Sequence, residues 1–97
     1  SIPDSYLETS HGILLVYDLT RPETFNRILE EHKGFLEKAP NLTKIVIGNK
    51  KDLVENMQTF EEDKELHELT DIYTSAKTGE NVSKAFEMLA HTFLEKI

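Results

Sequence analysis

The chain has 97 residues, of which 38% are hydrophobic and 30% are charged, the composition of a single folded domain and not of a disordered or fibrous chain. Its 18 acidic residues outnumber its 11 basic ones and give a net charge of −7, which disfavours binding to nucleic acid phosphates or to an anionic membrane. The absence of cysteine excludes disulfide-stapled extracellular folds, thiolate zinc sites and thiol nucleophiles, and it fits a reducing compartment.

The first predicted elements are a buried strand and a helix. Residues 12–18 form an almost continuous apolar run that ends at Asp18, which is typical of a strand covered on both faces of a parallel sheet. Apolar residues then recur at helical spacing until Pro40, which ends the helix. Thr20 and Glu23 have the spacing of a capping box, but Pro22 disfavours helical geometry at Arg21 and leaves the exact cap of this helix open.

The same pattern of strand and helix then occurs twice more. Residues 43–48 are a second β-branched run, and Thr59 and Glu62 have capping-box spacing at the start of a second helix. Residues 71–75 predict a third, shorter strand. The last helix is strongly amphipathic, and Asn81 is in position to cap its amino terminus.

The alternation of strands and helices predicts an α/β fold. Helices that cross over between parallel strands lie on the faces of the sheet, so we expect three βα units of a doubly wound parallel sheet. The first strand is so uniformly apolar that it is predicted to be central, with a neighbouring strand on each side. The strands on one side of it are therefore expected to be missing from this chain.

Two polar loops follow the second and third predicted strands. Ligands of open parallel sheets bind outside the carboxyl ends of the strands, and these ends share one rim of the sheet. We therefore expect the two loops to lie side by side and to form a ligand site. Their sequences are Asn49-Lys50-Lys51-Asp52 and Thr74-Ser75-Ala76-Lys77.

With these loops the chain resembles the Ras-like small GTPases, particularly the Rab branch, from about Ser5 to Ile97. The matching segments are similar to the fourth strand of that family and to its two guanine-recognition motifs. The resemblance implies a P-loop-GTPase-like sheet that lacks its amino-terminal strands. The segments are residues 14–20 (LLVYDLT), 48–53 (GNKKDL) and 74–82 (TSAKTGENV).

Asp52 is the residue whose chemistry best explains a preference for guanine. Guanine presents an N1–H donor and an N2 amino donor side by side, and an ionised carboxylate is the acceptor-only group that can take both. Adenine has no such pair of donors. The resemblance and the chemistry therefore both make Asp52 the predicted specificity residue of the site.

The resemblance assigns roles to the other residues of the two loops. It implies that Asn49 bonds the N7 edge of the base and ties the loops together, and that Ala76 offers its backbone N–H to O6. Lys50 and Lys77 would lay their aliphatic stems along the two faces of the base. Ser75 completes the expected guanine-binding set.

The chain does not contain the phosphate-binding sequence G-x-x-x-x-G-K-[ST]. Residues 1–97 are therefore interpreted as the carboxyl-terminal half of a small-GTPase domain without its phosphate-binding loop and first switch, with residues 4–7 as the tail of the second switch. The resemblance implies GTP or GDP as the ligand of a parent GTPase, and Mg²⁺ whose ligands lie outside these residues. No catalytic or metal-binding residue is expected here, and the chain alone is predicted to be inactive.

Two other functions are compatible with the same pattern. One is a non-catalytic GTPase-like interaction module or scaffold. The other is a phosphorelay receiver domain, which is less favoured because Lys77 is followed by Thr78 and not by proline.

Asp18 is interpreted as part of a turn and cap. The four histidines lack the spacing of a helical metal site; His32 is expected at the edge of an apolar stripe and the other three in solvent.

Partners and location follow from the resemblance and from the predicted sheet. The resemblance implies a role in signal transduction or vesicle traffic, with effectors, exchange factors and GTPase-activating proteins as partners. An exposed edge of the first strand favours a complementary fragment or a swapped dimer. We expect a cytoplasmic protein whose parent associates with membranes, although the chain has no cysteine for a lipid anchor.

Overall fold

The computed structural model describes residues 6–8 and 12–95, with side chains for residues 12–91. Strands and helices alternate after the first two strands, as predicted. The strands are β1 (Tyr6–Glu8), β2 (Gly12–Asp18), β3 (Thr43–Asn49) and β4 (Ile72–Tyr73). The helices are α1 (Pro22–Lys38), α2 (Gln58–Glu62), α3 (Lys64–Leu69) and α4 (Val82–Glu95), with a short 3₁₀ helix at Lys51–Leu53.

The described strands form one sheet in the order β1-β2-β3-β4. β2 and β3 are parallel, with Asp18 opposite Asn49 at their carboxyl ends, and β3 and β4 are parallel with Ile47 opposite Ile72. These three parallel strands confirm the α/β class. Their carboxyl ends lie at one rim of the sheet, so the loops that follow β3 and β4 are neighbours.

Helices cover both faces of the sheet because side chains alternate along each strand. One face packs against α1 and α3, and the opposite face packs against α4. The first cluster contains Ile13, Leu15, Tyr17, Leu19, Phe25, Ile28, Val46 and Leu66. The second contains Leu14, Ile45, Ile47, Ile72 and Ala85. The doubly wound arrangement predicted from the sequence is therefore present.

The sequence patterns did not predict β1. It is antiparallel to β2, with Tyr6 opposite Leu15 and Glu8 opposite Ile13, so the described sheet is mixed and not purely parallel. A strand of three residues is too short to show the alternation by which strands are predicted. The segment interpreted as the tail of the second switch contains part of β1; Asp4 and Ser5 of that segment lie outside the described residues.

Neither of the two capping-box spacings forms a capping box. α1 begins at Pro22, and Arg21 is extended and supplies no side-chain cap. Proline disfavours the helical conformation of the residue before it, so Arg21 and not Thr20 occupies the N-cap position. Thr20 instead donates its hydroxyl to Asp18 Oδ1 at 2.6 Å. Thr59 lies inside α2, and the N-cap of that helix is Met57, which makes no side-chain cap bond.

The predicted second helix is two short helices that meet at Asp63. Asp63 is extended (φ −75°, ψ 100°), and its Oδ1 accepts the Leu66 N–H at 3.2 Å to cap α3. A short acidic side chain that bonds nearby backbone favours a new cap over continuation of the helix.

The start of α4 and the extent of β4 also differ from expectation. Asn81 has a positive φ of 62°, and its side-chain amide donates to Tyr73 O at 2.8 Å, so it links α4 to the sheet and does not cap the helix with its side chain. β4 is shorter than the predicted strand 71–75, because the chain turns into a loop in which Ser75 N–H donates to Glu80 O at 3.0 Å.

Candidate functional site

The loops after β3 and β4 are joined by hydrogen bonds. Lys51 N–H donates to Thr74 O at 3.0 Å, which brings the two backbones together. Asn49 Oδ1 accepts both the Thr74 hydroxyl and the Ala76 N–H, each at 3.1 Å. Asn49 therefore ties the loops together, as the resemblance implies. Its Nδ2 amide makes no hydrogen bond to the part of the chain that the structure describes.

Asp52 is held by the neighbouring loop. It lies exposed in the 3₁₀ helix Lys51–Leu53, and its Oδ1 accepts the Ser75 hydroxyl at 2.7 Å. Ser75 is fully buried, and its Oγ also accepts the Thr78 N–H at 3.1 Å. The serine hydroxyl hydrogen is thereby directed at the carboxylate. Oδ2 of Asp52 is left without a hydrogen bond to any described residue, at the rim of the sheet.

Lys50 is anchored to the end of β2. Its backbone is left-handed (φ 68°), and its Nζ lies 2.9 Å from Asp18 Oδ2. Burial opposes ionisation of Asp18, but hydrogen bonds from Thr20 and the adjacent Lys50 ammonium outweigh it and hold the pKa of this carboxyl below its usual range. The turn contact predicted for Asp18 is confirmed by its bond to the Thr20 N–H, but Asp18 does not cap α1, whose N-cap is Arg21. The ion pair is an additional contact that no sequence signal indicated.

Ala76 and Lys77 lie in the turn that follows Ser75. The Ala76 N–H, which the resemblance assigns to the base oxygen O6, donates to Asn49 in this structure. Lys77 is exposed and forms no ion pair with any described residue. Gly79 closes the turn with φ 84° and donates its N–H to Ser75 O at 2.8 Å. The six predicted site residues thus come together at one rim, and Lys77 is the least constrained of them.

Lys51 and Glu80 add a contact between the loops that the sequence did not reveal. The Lys51 ammonium and the Glu80 carboxylate form an exposed ion pair. These residues are 29 positions apart, and only the parallel register of β3 and β4 brings them together. The contact reinforces the backbone bond between Lys51 and Thr74.

Gly48 allows the close packing behind Asn49. A Cβ atom at this position would lie 2.8 Å from Tyr17 Oη and 2.9 Å from Tyr73 Cδ1, which is shorter than any normal carbon contact. Glycine is therefore required where β3 passes between two tyrosine rings. The glycine before Asn49 was visible in the sequence, but the two rings that exclude a side chain were not.

The histidines differ in part from expectation. His32 is half-buried, as predicted, and burial together with the nearby Lys44 charge lowers its pKa. His67 is exposed but is not simply solvated, because its Nδ1 lies 2.8 Å from Tyr73 Oη and the two rings stack. The described residues contain no group of three or more His, Cys, Asp or Glu that could hold a metal ion.

No helix among the described residues has both the length and the apolar character needed to cross a membrane. This agrees with the sequence, in which the longest apolar run, residues 13–17, is far shorter than the roughly 20 residues of a spanning helix.

Comparison with known proteins gives matches over the whole chain. The family model of the Ras family matches residues 1–95. Ras-related protein Rab-4B of Homo sapiens is 42% identical over 104 residues, which cover 100% of this chain and 48% of that protein. Ras-related protein Rab-1 of Theileria annulata is 34% identical over 103 residues, covering 100% of this chain and 47% of that protein. The chain therefore spans about half the length of these curated relatives.

Proposed function

The chain belongs to the Ras family, and we propose that its loops after β3 and β4 recognise the guanine base of GTP or GDP. The observation that carries this proposal is the environment of Asp52. One carboxylate oxygen is held by the buried Ser75 hydroxyl at 2.7 Å, and the other is directed at no described residue. An exposed, oriented carboxylate at the rim of a parallel sheet is suited to a ligand with adjacent N–H donors.

The chemistry of Asp52 accounts for base selection. Its carboxylate can accept from the N1–H and the N2 amino group of guanine, while adenine offers no such pair. Hydrogen bonds that involve a charged group contribute about 1.5 to 3 kcal/mol each. The bond from Ser75 holds the carboxylate plane in place, so less freedom is lost when the base binds.

The surrounding residues fit the remaining edges and faces of the base. Asn49 has its Nδ2 amide available for the N7 edge, while its Oδ1 keeps the loops together. Lys50 and Lys77 would cover the two faces with their aliphatic stems. For Ala76 to donate to O6, its N–H must turn away from Asn49 Oδ1, so we infer a small rearrangement of this turn on binding.

We further infer that the whole protein is a conformational switch that hydrolyses GTP. The 97 residues contain no G-x-x-x-x-G-K-[ST] sequence, so the residues here supply base specificity and bind nucleotide weakly by themselves. Mg²⁺ would be held outside this chain. Effectors, exchange factors and GTPase-activating proteins are the partners that such a switch needs, and a complementary segment would cover the edge of β2 beyond its pairing with β1.

Nuclear magnetic resonance titration tests the base preference without requiring tight binding. We expect guanosine monophosphate at millimolar concentration to shift the backbone amides of Asp52, Ala76 and Lys77. Adenosine monophosphate carries the same phosphate and serves as the control, and it should leave these amides unchanged. An equal response to both nucleotides, or shifts confined to residues away from the two loops, would contradict the proposal and favour a non-catalytic interaction module.

Replacement of Asp52 by Asn tests the role of the carboxylate itself. The amide removes one acceptor and adds a donor, so it suits xanthine, which carries a carbonyl at C2. We expect affinity for guanosine monophosphate to fall by about tenfold or more, and the preference to move to xanthosine monophosphate. Glu55→Gln removes the same charge from a nearby exposed position and should change neither affinity. A D52N variant that still prefers guanine would exclude this role.

A further inference from the structure

The side chain of Lys50 extends from the end of β3 to the end of β2. Its backbone is left-handed (φ 68°, ψ 33°) at the point where β3 turns into the 3₁₀ helix Lys51–Leu53. Its Nζ lies 2.9 Å from Oδ2 of Asp18, the residue opposite Asn49 in the sheet register. The ammonium group is therefore paired with a carboxylate at the end of β2, and the aliphatic stem spans the gap between the two strand ends.

Asp18 is the fixed partner of this ion pair. Its Oδ1 accepts the Thr20 N–H at 2.8 Å and the Thr20 hydroxyl at 2.6 Å, so both carboxylate oxygens have defined partners. Its own N–H donates to Thr24 Oγ1 at 2.8 Å. The side chain of Asp18 is 15% exposed and that of Lys50 is 49% exposed. The turn after β2 thus holds an oriented carboxylate, against which the more mobile lysine is placed.

We propose that Asp18 is a positioning residue for base binding, which acts by holding the Lys50 stem where one face of the purine would lie. This inference rests on the proposed function of the two loops. A lysine side chain has several rotatable bonds, and ordering it only when a ligand binds weakens affinity. Anchoring the ammonium on Asp18 orders the stem beforehand and leaves its methylene groups accessible. Lys77 has no such anchor among the described residues.

Asp18→Asn tests this role, because it keeps the shape of the side chain and removes its charge. We expect affinity for guanosine monophosphate to fall about threefold to tenfold, the range for an exposed ion pair plus lost order of a long side chain. The ratio of guanosine to xanthosine monophosphate binding should not change, since Asp52 is intact. Glu23→Gln is the matched control: it breaks an exposed ion pair with Arg21 in the same turn, and binding should stay unchanged.

A second measurement separates positioning from a purely structural role. In the ligand-free chain, carbon-13 relaxation reports the order of the Lys50 ε-methylene group. We expect this group to be more ordered than that of Lys77 in the wild type and to become equally mobile in D18N, but not in E23Q. Lys50→Met removes the ammonium and keeps an apolar stem. If Asp18 acts through Lys50, the losses of affinity in D18N and K50M will not add in the double variant.

The outcomes separate the two levels of the proposal. A wild-type chain that binds no guanosine monophosphate would overturn the proposed function, and this inference with it. Wild-type binding that D18N leaves unchanged, or additive losses in D18N and K50M, would overturn the positioning role alone. If D18N does not fold, a comparison of K50M with Lys77→Met provides the test. The positioning role requires K50M to bind guanosine monophosphate more weakly than K77M, because of these two lysines only Lys50 is held by a partner in the described structure.

Discussion

At the scale of single residues, the site depends on one position where no side chain fits. Gly48→Ala would place a Cβ within 2.9 Å of the rings of Tyr17 and Tyr73. Both rings are packed in the sheet, so we expect a loss of about 1 to 3 kcal/mol in the free energy of unfolding, together with displacement of Asn49. Urea denaturation measures the stability, and the Ala76 amide shift reports the loop.

Gly34→Ala is the natural control for this substitution. Gly34 lies in α1, and an added Cβ would meet no atom within 4 Å. Since glycine in a helix is less favourable than alanine by about 0.5 to 1 kcal/mol, this variant should be slightly more stable than the wild type. Similar stability changes in G48A and G34A would show that the two tyrosine rings do not exclude a side chain at position 48.

Single residues also show how far sequence reasoning extends into the site. Asn49 and Asp52 were predicted from the motif after a buried strand, and the structure brings them together with Ser75 and Ala76. The ion pair of Lys50 with Asp18 was not predicted, because nothing in the sequence relates two residues on neighbouring strands until their register is known.

At the scale of elements, the break between α2 and α3 depends on Asp63. Asp63→Ala removes the oxygen that accepts the Leu66 N–H, and we expect it to lower the free energy of unfolding by about 1 kcal/mol. Asp63→Asn keeps an acceptor at the same place and should lose only a few tenths. Thermal or urea denaturation measures the difference, with faster hydrogen exchange of the Leu66 amide in D63A. An alanine variant as stable as the asparagine variant would contradict the capping role.

The predicted elements are correct where the hydrophobic pattern extends over many residues. They are wrong where a few local contacts determine where an element begins or ends. β2, β3 and α1 are each at least seven residues long, and their patterns were recognised. β1 is too short for a pattern, and the starts of α1 and α2 depend on proline restriction and on competing turn contacts. Alternative start positions of a helix differ only slightly in free energy, and residue spacing alone does not identify the favoured one.

At the scale of the whole molecule, a partly buried hydrogen bond joins the sheet to the residue that follows α3. The Thr70 hydroxyl donates to Leu66 O at 2.6 Å, so it accepts from Tyr17 Oη at 2.7 Å. Burial raises the pKa of the Tyr17 phenol well above its usual range, and nearby Tyr73 and Asp63 raise it further. The folded state therefore favours the neutral phenol.

This preference predicts a specific loss of stability in alkali. A group whose pKa is raised in the folded state stabilises the fold fully below its unfolded pKa, here about 10, and this contribution declines as the pH rises above that value. We expect the urea midpoint of the wild type to fall more steeply above about pH 10 than that of Tyr17→Phe. At neutral pH the variant should be less stable by about 1 kcal/mol. If the urea midpoints of the wild type and of Tyr17→Phe fall equally steeply above about pH 10, Tyr17 is ruled out as the source of the alkaline loss of stability.

The sequence by itself determined the α/β class, the order of the long elements, the family resemblance and the absence of a phosphate-binding motif from these residues. These properties depend on local periodicity and on contiguous motifs. Only the tertiary structure decided which side chains meet: Ser75 with Asp52 across 23 positions, and Tyr17 with Thr70 across 53. Such contacts depend on strand register and on which helices cover each face, and these are set by packing of the whole core.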